Sequence, residues 1–564
     1  MYPSFRWIFC IQKGEKLSNF RGSRSWRLIL LFSVFALVVV ACGGDTAEED
    51  EVVEETTETT EAPATETTEE AAEEEGPSAP DGVYKIAIYS DPQTQNYWTY
   101  LDTENDVWTA YVMSPQAVTL FTLSVPNYQL VANMATELVE TSVDNGDGTF
   151  SYSVPIASGF EWSDGNPITA NDFAFTFNTV KDLGLAGNWL ALWPVGSDEA
   201  QGVVSVEATD DYTVNVTFNF DPGLSQWQYG VAQAPALSQA YWESIATDRE
   251  TLLAADASSA PVASAFNYDK IEQGAFYTWA YNANTMWAPG PEYTIYDSGG
   301  TGIKWDNGKA PAVDQTFGDV SGESFSYSSG PFVGTVEFTL YGDQDAAYLA
   351  FQDGEVDFVL NPLGVKRNTF NQLATTPGVE TIVNQPNGMR YFASNTRIFP
   401  GSNKAFRQAV GCIIDKEFII DSVLQGTVES MDGMMSSALT AWVTPTEGVM
   451  AECREYDSVG RWERSIQILQ DAGWTADDWG EHPGNETRAI PPTGIKGPNG
   501  EVPPENMLIY APGPGYDPLR NTFSLFIADY IRQLGFDVTA RPTGFSVIVD
   551  IAFSAEAVSY THLT

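Results

Sequence analysis

Residues 507–538 read MLIYAPGPGYDPLRNTFSLFIADYIRQLGFDV. Met507–Tyr510 is a short apolar run with strand character, and Ala511–Asp517 is a loop rich in proline and glycine. From about Leu519 to Leu534, the apolar residues Phe523, Phe526, Ile527, Tyr530, Ile531 and Leu534 recur at helical spacing and share one face. Gly535 ends that helix, because glycine enters the left-handed conformation of a C-cap at little cost, and Val538 opens a second strand. Strand, helix and strand in this order predict a βαβ unit and a parallel pair. The same pattern stands upstream as strand Val336–Tyr341, helix Asp345–Gln352 stopped at Gly354, and strand Val356–Leu360. The expected fold class is α/β. Ligands of such sheets sit beyond the carboxyl ends of the strands, so the loop Ala511–Asp517 is expected to wall a site.

The first half, from Gly82 to Gly334, reads as short strands and turns with a few helices. Asp144-Asn145-Gly146-Asp147-Gly148 predicts a hairpin turn between Ala135–Ser142 and Phe150–Pro155. Its acids lack the Asp-x-Asp-x-Asp-Gly spacing of a calcium loop. Gly299–Lys304 lacks the spacing of a phosphate loop. No unit of 20–50 residues repeats, which excludes solenoids and propellers.

At 564 residues the chain is long enough for two to four domains, and 43% apolar with 13% aromatic residues can fill packed cores. Against 27 basic residues stand 76 acidic ones, a net charge of −49. Residues 1–41 are basic, residues 42–75 carry fifteen acids and no base, and the remainder is itself acidic. A chain this acidic repels phosphate backbones, so no nucleic-acid partner is expected. The two histidines, His482 and His562, leave no material for a serine triad, an HExxH zinc site or a His-paired thiol. No catalytic residue, metal site or cofactor is expected.

Arg21, Arg24 and Arg27 precede an uninterrupted apolar run, Leu28–Ala41. That is the length of a signal-peptide core, and a spanning helix needs about 20 residues. The run ends Ala41-Cys42-Gly43-Gly44 and resembles the bacterial lipoprotein signal, which implies that Cys42 is lipidated. Residues 43–80 are Glu, Thr, Ala and Pro with almost nothing to bury, so a disordered tether is expected there. About forty such residues span ~35 Å as a flexible coil. With Cys10 in the leader, Cys412 and Cys453 remain in a compartment where disulfides persist. Two readings stay open: a bridge between them, or Cys412 as a small buried residue of a helix.

Four further segments occur in order. Phe160–Phe173 reads FEWSDGNPITANDF, close to a "WSDGxPxTAxD" signature. Ala350–Asp357 ends in GEVD. Phe392–Asn395, Lys404–Val410, Ile414-Asp415-Lys416 and Gly426 follow an "N…RQA…ID(K/R)…G" pattern, and Ile468–Trp474 follows "LLxxAGW". Together they resemble the extracytoplasmic solute-binding proteins of ABC importers, in the large peptide- and nickel-binding family 5. Asp164 and Asp172 invite a catalytic reading, but an Asp-Gly turn and a helix cap behind Thr169 account for both. Ala265–Tyr268 and Tyr281–Asn284 stand where the family carries "GTGPY" and "rNpxYW", which marks a divergent branch.

The resemblance implies a two-lobe periplasmic-binding-protein fold of the large cluster C type, with mixed sheets and an extra subdomain in lobe one. The expected division is signal peptide 1–41, tether 42–81, lobe one 82–334 and lobe two 335–556. Residues 557–564 are expected to be a non-native tail on a shortened chain. The implied function is a monomeric, membrane-anchored, extracytoplasmic receptor that closes on a peptide-like solute and delivers it to ABC permease subunits. An oligosaccharide or a nickel chelate are alternative solutes. Candidate solute contacts are Trp189, Trp193, Asn395 and Tyr516. Other classes stay open: an anchored glycoside hydrolase using paired carboxylates, or an adhesion lipoprotein.

Overall fold

The computed structural model describes residues 10–12, 80–553 and 561–563, apart from 105, 114–115, 124–129, 283–284, 286, 310–311, 382–388, 427, 434, 436–442, 444–447 and 485–487. The apolar run Leu28–Ala41, Cys42 and the acidic stretch to residue 79 lie outside the described residues. Among those described, no helix is long and apolar enough to cross a membrane.

The upstream βαβ unit forms, with an addition. Thr335–Leu340 and Phe358–Val359 are both strands, joined through helix Gln344–Gln352. Between them lies the N-terminal strand Val83–Ile88, parallel to both. The helix starts where Asp343 accepts from the Ala346 amide at 2.8 Å, and Gly354 leaves it with φ +75°. Val83–Ile88 is exposed at its start, while Ala87 and Ile88 are fully buried at its end. The sheet continues antiparallel through Phe276–Tyr281 to Phe266–Glu272. The division expected at 334/335 therefore falls inside one sheet. Phe338, Phe351, Phe358 and Leu373 share a core with Trp98 and Phe173, so the first lobe's packing extends past residue 370.

A second sheet of this lobe orders Val143–Asp144, Phe150–Pro155, Thr213–Phe218 and Val203–Asp210, all antiparallel. The predicted hairpin turn is present, with Asp144 accepting from Gly146 at 2.8 Å and Asp147 from Thr149 at 3.0 Å. Its first strand is Val143–Asp144 and not Ala135–Ser142. Residues 136–138 are all exposed, and the Val139 carbonyl accepts from the Trp227 indole at 2.8 Å. A third, four-stranded antiparallel sheet spans residues 292–328 and forms the extra subdomain, with Ile303 and Phe317 packed on Val131.

The family-like signature is structural. Asp164 accepts from the Asn166 amide at 3.1 Å across a turn in which Gly165 has φ +84°. Thr169 and Asp172 form a capping box at the start of helix Ala170–Asp182. Asp172 takes the Thr169 amide on one oxygen and the Gln239 amide on the other, both at 2.8 Å.

The second core packs helices Lys404–Ile413, Ser458–Asp471 and Pro518–Arg532 around the parallel pair Met507–Pro512 and Val538–Thr543. Thr561–Leu563, in the expected tail, pairs with Met507–Pro512 and with Phe392–Ala393. Cys412 and Cys453 are bonded to each other, with Cα atoms 5.3 Å apart, and Cys412 also lies buried in its helix.

Candidate functional site

Both parallel sheets turn the carboxyl ends of their strands to one junction. Tyr89 follows Val83–Ile88, Asn361 follows Phe358–Val359, and Asp343 and Gln344 follow Thr335–Leu340. From the second lobe, the segment Gly513–Asp517 follows Met507–Pro512 and Phe545 follows Val538–Thr543. The Gly513 carbonyl accepts from the amides of Tyr516 and Asp517, at 3.1 and 3.0 Å, which folds this segment into a tight turn.

That turn carries Tyr516 onto the first lobe's core. The Trp108 indole N–H donates to the Tyr516 hydroxyl at 3.0 Å. Tyr89 sits edge-on to Trp108, with ring centroids 4.5 Å apart, and Phe545 stacks on Tyr516 at 5.8 Å. A backbone bond from Gln344 to the Gly515 carbonyl, 3.2 Å, joins the lobes beside them. Burial pushes the Tyr516 phenol up to about 12 and the Tyr89 phenol well above its ordinary value, so both stay neutral donors and acceptors.

Polar groups line the same place. Gln344 donates through Nε2 to the Tyr89 hydroxyl at 3.3 Å and to the Gly364 carbonyl at 3.2 Å. Asn361 donates to the Tyr348 hydroxyl and to the Gly364 carbonyl, both at 3.0 Å. Asp517 is fully buried, caps helix Pro518–Arg532 by accepting from the Arg520 amide, and takes Arg520 Nε at 2.6 Å. Arg390 Nη2 stands 3.7 Å from the same carboxylate and also donates to the Leu363 carbonyl. Burial lowers the pKa of the Arg390 guanidinium, and Asp517 opposes that shift. Asp106 accepts through one oxygen from the amides of Trp108 and Thr109, at 2.8 and 3.0 Å, at the head of helix Val107–Met113. Burial raises its carboxyl pKa above the ordinary value, against the pull of the Thr109 bonds.

Of the residues singled out from sequence, Tyr516 arrives at the junction. Trp189 and Trp193 do not. Both are fully buried in the first core, where Trp189 stacks on Trp98 at 4.9 Å and Trp193 packs near Phe177 at 5.8 Å. Their indole N–H groups are taken by the carbonyls of Trp98 and Pro235, at 3.0 and 3.1 Å, so nothing of either faces a solute. This corrects the expectation for both. Asn395 closes a turn by accepting from the Arg397 amide at 3.0 Å. Tyr89, Trp108, Gln344 and Arg390 were missed. Asn361 was within reach, since it directly follows a strand that was read from the sequence.

A small open hollow, with about 20 Å³ of room, lies elsewhere, beside the disulfide, and is lined by Lys416, Glu417, Asp432, Arg454 and Arg461. Its charges are paired among themselves and with Asp415: Lys416 and Arg454 share Asp432 at 2.6 and 2.7 Å, and Arg461 holds Asp415. This network ties Asp432 and Asp415 to the flanking helices. Among the described residues, no group of three or more His, Cys, Asp or Glu side chains is placed to hold a metal ion.

Residues 129–558 match the model of the bacterial extracellular solute-binding proteins, family 5 middle region. The nickel-binding periplasmic protein of Escherichia coli (strain K12) is 24% identical over 212 residues, 37% of this chain. The match spans 35% of that relative's length. The structure of the oligopeptide-binding protein AppA from Bacillus subtilis, in complex with a nonapeptide, superposes with TM-score 0.59 and 15% identity over 86% of this chain and 79% of that one. A mannohexaose-bound periplasmic oligopeptide-binding protein from Thermotoga maritima gives TM-score 0.57 and 17% identity over 86% and 75% of the two chains. At these identities the likeness is one of fold, the two-lobe architecture.

Proposed function

Since this chain belongs to family 5 of the bacterial extracellular solute-binding proteins, we propose that it is the extracytoplasmic receptor of an ABC importer. It takes a peptide-like solute between its two lobes and delivers it to permease subunits in the membrane. One observation carries the reading: the carboxyl ends of both parallel sheets meet at a single junction, walled by Tyr89, Trp108 and Tyr516 and lined by Gln344 and Asn361. Neutral phenols and amides offer the mixed donors and acceptors that a peptide backbone needs, and the rings offer apolar walls for side chains. The protein works by binding, not catalysis.

Closure is a population shift limited by the solute's preference for the closed form. Contacts made by the protein itself, Trp108 to Tyr516 and Gln344 to Gly515, contribute to that form whatever the solute is. Asn395 is proposed near the crossing between lobes, and lipid on Cys42 is proposed to hold a monomeric body at the membrane through the acidic tether. The relatives' nickel and mannohexaose keep a nickel chelate and an oligosaccharide as second readings of the solute.

A thermal-shift panel of di- to hexapeptides, oligosaccharides and nickel chelates tests the proposal. A solute at a hundredfold excess over its Kd stabilises the native state by about 2.7 kcal/mol. A melting-temperature rise with one class is expected. A folded sample that responds to none would overturn the receptor reading.

A further inference from the structure

The four-stranded sheet of residues 292–328 has one bare edge. Its strands run in the order Val313–Phe317, Thr301–Trp305, Glu292–Tyr296 and Ser324–Ser328. At the first edge Phe317 packs on Val131, while at the other every residue of Ser324–Ser328 is exposed. The Ser329 amide donates to the Pro291 carbonyl and the Asp297 amide to the Glu323 carbonyl, both at 2.9 Å. Between them Tyr327 stands opposite Tyr293 and Phe325 opposite Ile295. Bonded and non-bonded pairs alternate in an antiparallel ladder, so Ser324, Ser326 and Ser328 turn their amides and carbonyls outward. The strand has no charged residue, proline or bulge, the devices that keep sheet edges from pairing.

An apolar face accompanies this edge. Tyr293, Tyr327 and Phe325 stand in a row, with ring centroids 5.5 and 5.6 Å apart. Phe325 is 62% exposed and Tyr327 46%. At the start of the strand the turns 297–300 and 318–323 are bonded together, with the Ser321 amide donating to the Ser298 hydroxyl at 3.1 Å. This brings Asp297, Asp319 and Glu323, all exposed, to one end of the edge. Among the described residues, none of the three belongs to an ion pair.

These features select an occupant. Amides and carbonyls facing out at strand spacing fit another extended backbone, added as a fifth strand. The three acids call for a base at its end. A second copy is repelled, since each carries −49, and residues 42–75 of this chain hold fifteen acids and no base. We propose that Ser324–Ser328 docks an extended segment of a partner protein, with alternating apolar residues and a basic end that meets Asp297, Asp319 and Glu323. The surface shares no residue with the junction between the lobes, and the proposal does not depend on the receptor reading.

The probe is the labelled peptide acetyl-KKTVTVTKK-amide, whose two basic ends serve either strand direction, titrated against the purified protein by fluorescence anisotropy. Saturable binding is expected. Peptides with glutamate for each lysine, or proline for each valine, should bind at least about tenfold more weakly. Ser326→Pro removes an outward amide and no bond of the inner ladder, and should weaken the probe by a similar factor. The hydroxyl it also loses meets only the exposed Thr294 hydroxyl, at 2.8 Å. A second variant, Phe325→Thr with Tyr327→Thr, leaves the backbone edge intact and should cost roughly fivefold. Asp297→Asn with Glu323→Gln should weaken binding at about 0.05 M salt and alter it little at about 0.5 M. Val502→Ser, at a residue 70% exposed elsewhere, should change nothing. No saturable binding of the lysine peptide, equal binding of the proline peptide, or affinity that survives Ser326→Pro would overturn the proposal. Self-association of the protein that Ser326→Pro abolishes would overturn it too, by giving the edge to a second copy.

Discussion

Asp106 and Asp172 show how a carboxylate placed at a helix start is held by geometry while burial disfavours its charge. Asp106 caps through a single oxygen, so Asp106→Asn keeps both backbone bonds while removing the charge. In the native state burial raises its pKa above the ordinary 3.8. The folded form then binds a proton more readily than the unfolded one. Its contribution to stability is fully present below 3.8 and is lost as pH rises through the raised folded value. Urea midpoints across the acid range should show wild type losing stability relative to Asp106→Asn inside that window, and running parallel to it above. A constant difference throughout would rule out the buried-charge account. At this scale the sequence was legible where chemistry is local: the Asp164 turn and the Asp172 cap need only neighbours within a few residues. Trp189 and Trp193 were misread because an indole looks the same in sequence whether its N–H finds a solute or a backbone carbonyl. The position of Tyr516 at the junction was legible because its place after a strand, not its type, carried the reading.

Elements followed from pattern wherever one face had to be buried. Helix Pro518–Arg532 lies within two residues of the expected limits, with Asp517 as cap and Gly535 just beyond at φ +83°. The hairpin strand before Asp144 was overestimated because an alternating sequence does not reveal that an indole from residue 227 takes its carbonyl. Least legible was Val83–Ile88, whose neighbours in the sheet come from far along the chain. The disulfide joins helix Lys404–Ile413 to helix Val449–Arg454 across a separation of 41 residues, beside the ion pairs of Lys416 and Arg454 with Asp432. Closing a loop of that length is worth about 4 kcal/mol in the chain-entropy model. The double change Cys412→Ser and Cys453→Ser should lower the unfolding free energy by roughly 2–4 kcal/mol. Denaturant unfolding of the variant checks this, and an unchanged midpoint would show that the ion pairs suffice.

For the whole molecule, the excess of negative charge opposes compactness. A body this acidic repels itself, and salt shortens the reach of that repulsion from about 30 Å at 0.01 M to about 3 Å at 1 M. Calorimetry should therefore find a melting temperature that climbs with sodium chloride before specific salt effects take over. A flat curve would mean that local ion pairs already offset the excess. The two-lobe class was readable from two βαβ units and four motifs, because those depend on short-range order. The limit of the first lobe was not, since sheet membership is decided by pairings that no single segment announces. The same holds for the junction: Tyr89, Trp108 and Arg390 become neighbours of residues 515–517 only once both sheets exist.

The seating of Val83–Ile88 also orders events in time. The Lys85 amide finds its acceptor on Asp357, 272 residues further along the chain. A polypeptide emerging amino end first must carry this strand, apolar at its tip, with no partner while almost half its length is still being made or threaded across a membrane. Early collapse onto a wrong edge is the hazard, and loop closure over such a separation is intrinsically slow. The first lobe's sheet can therefore be completed only when the 335–360 segment arrives.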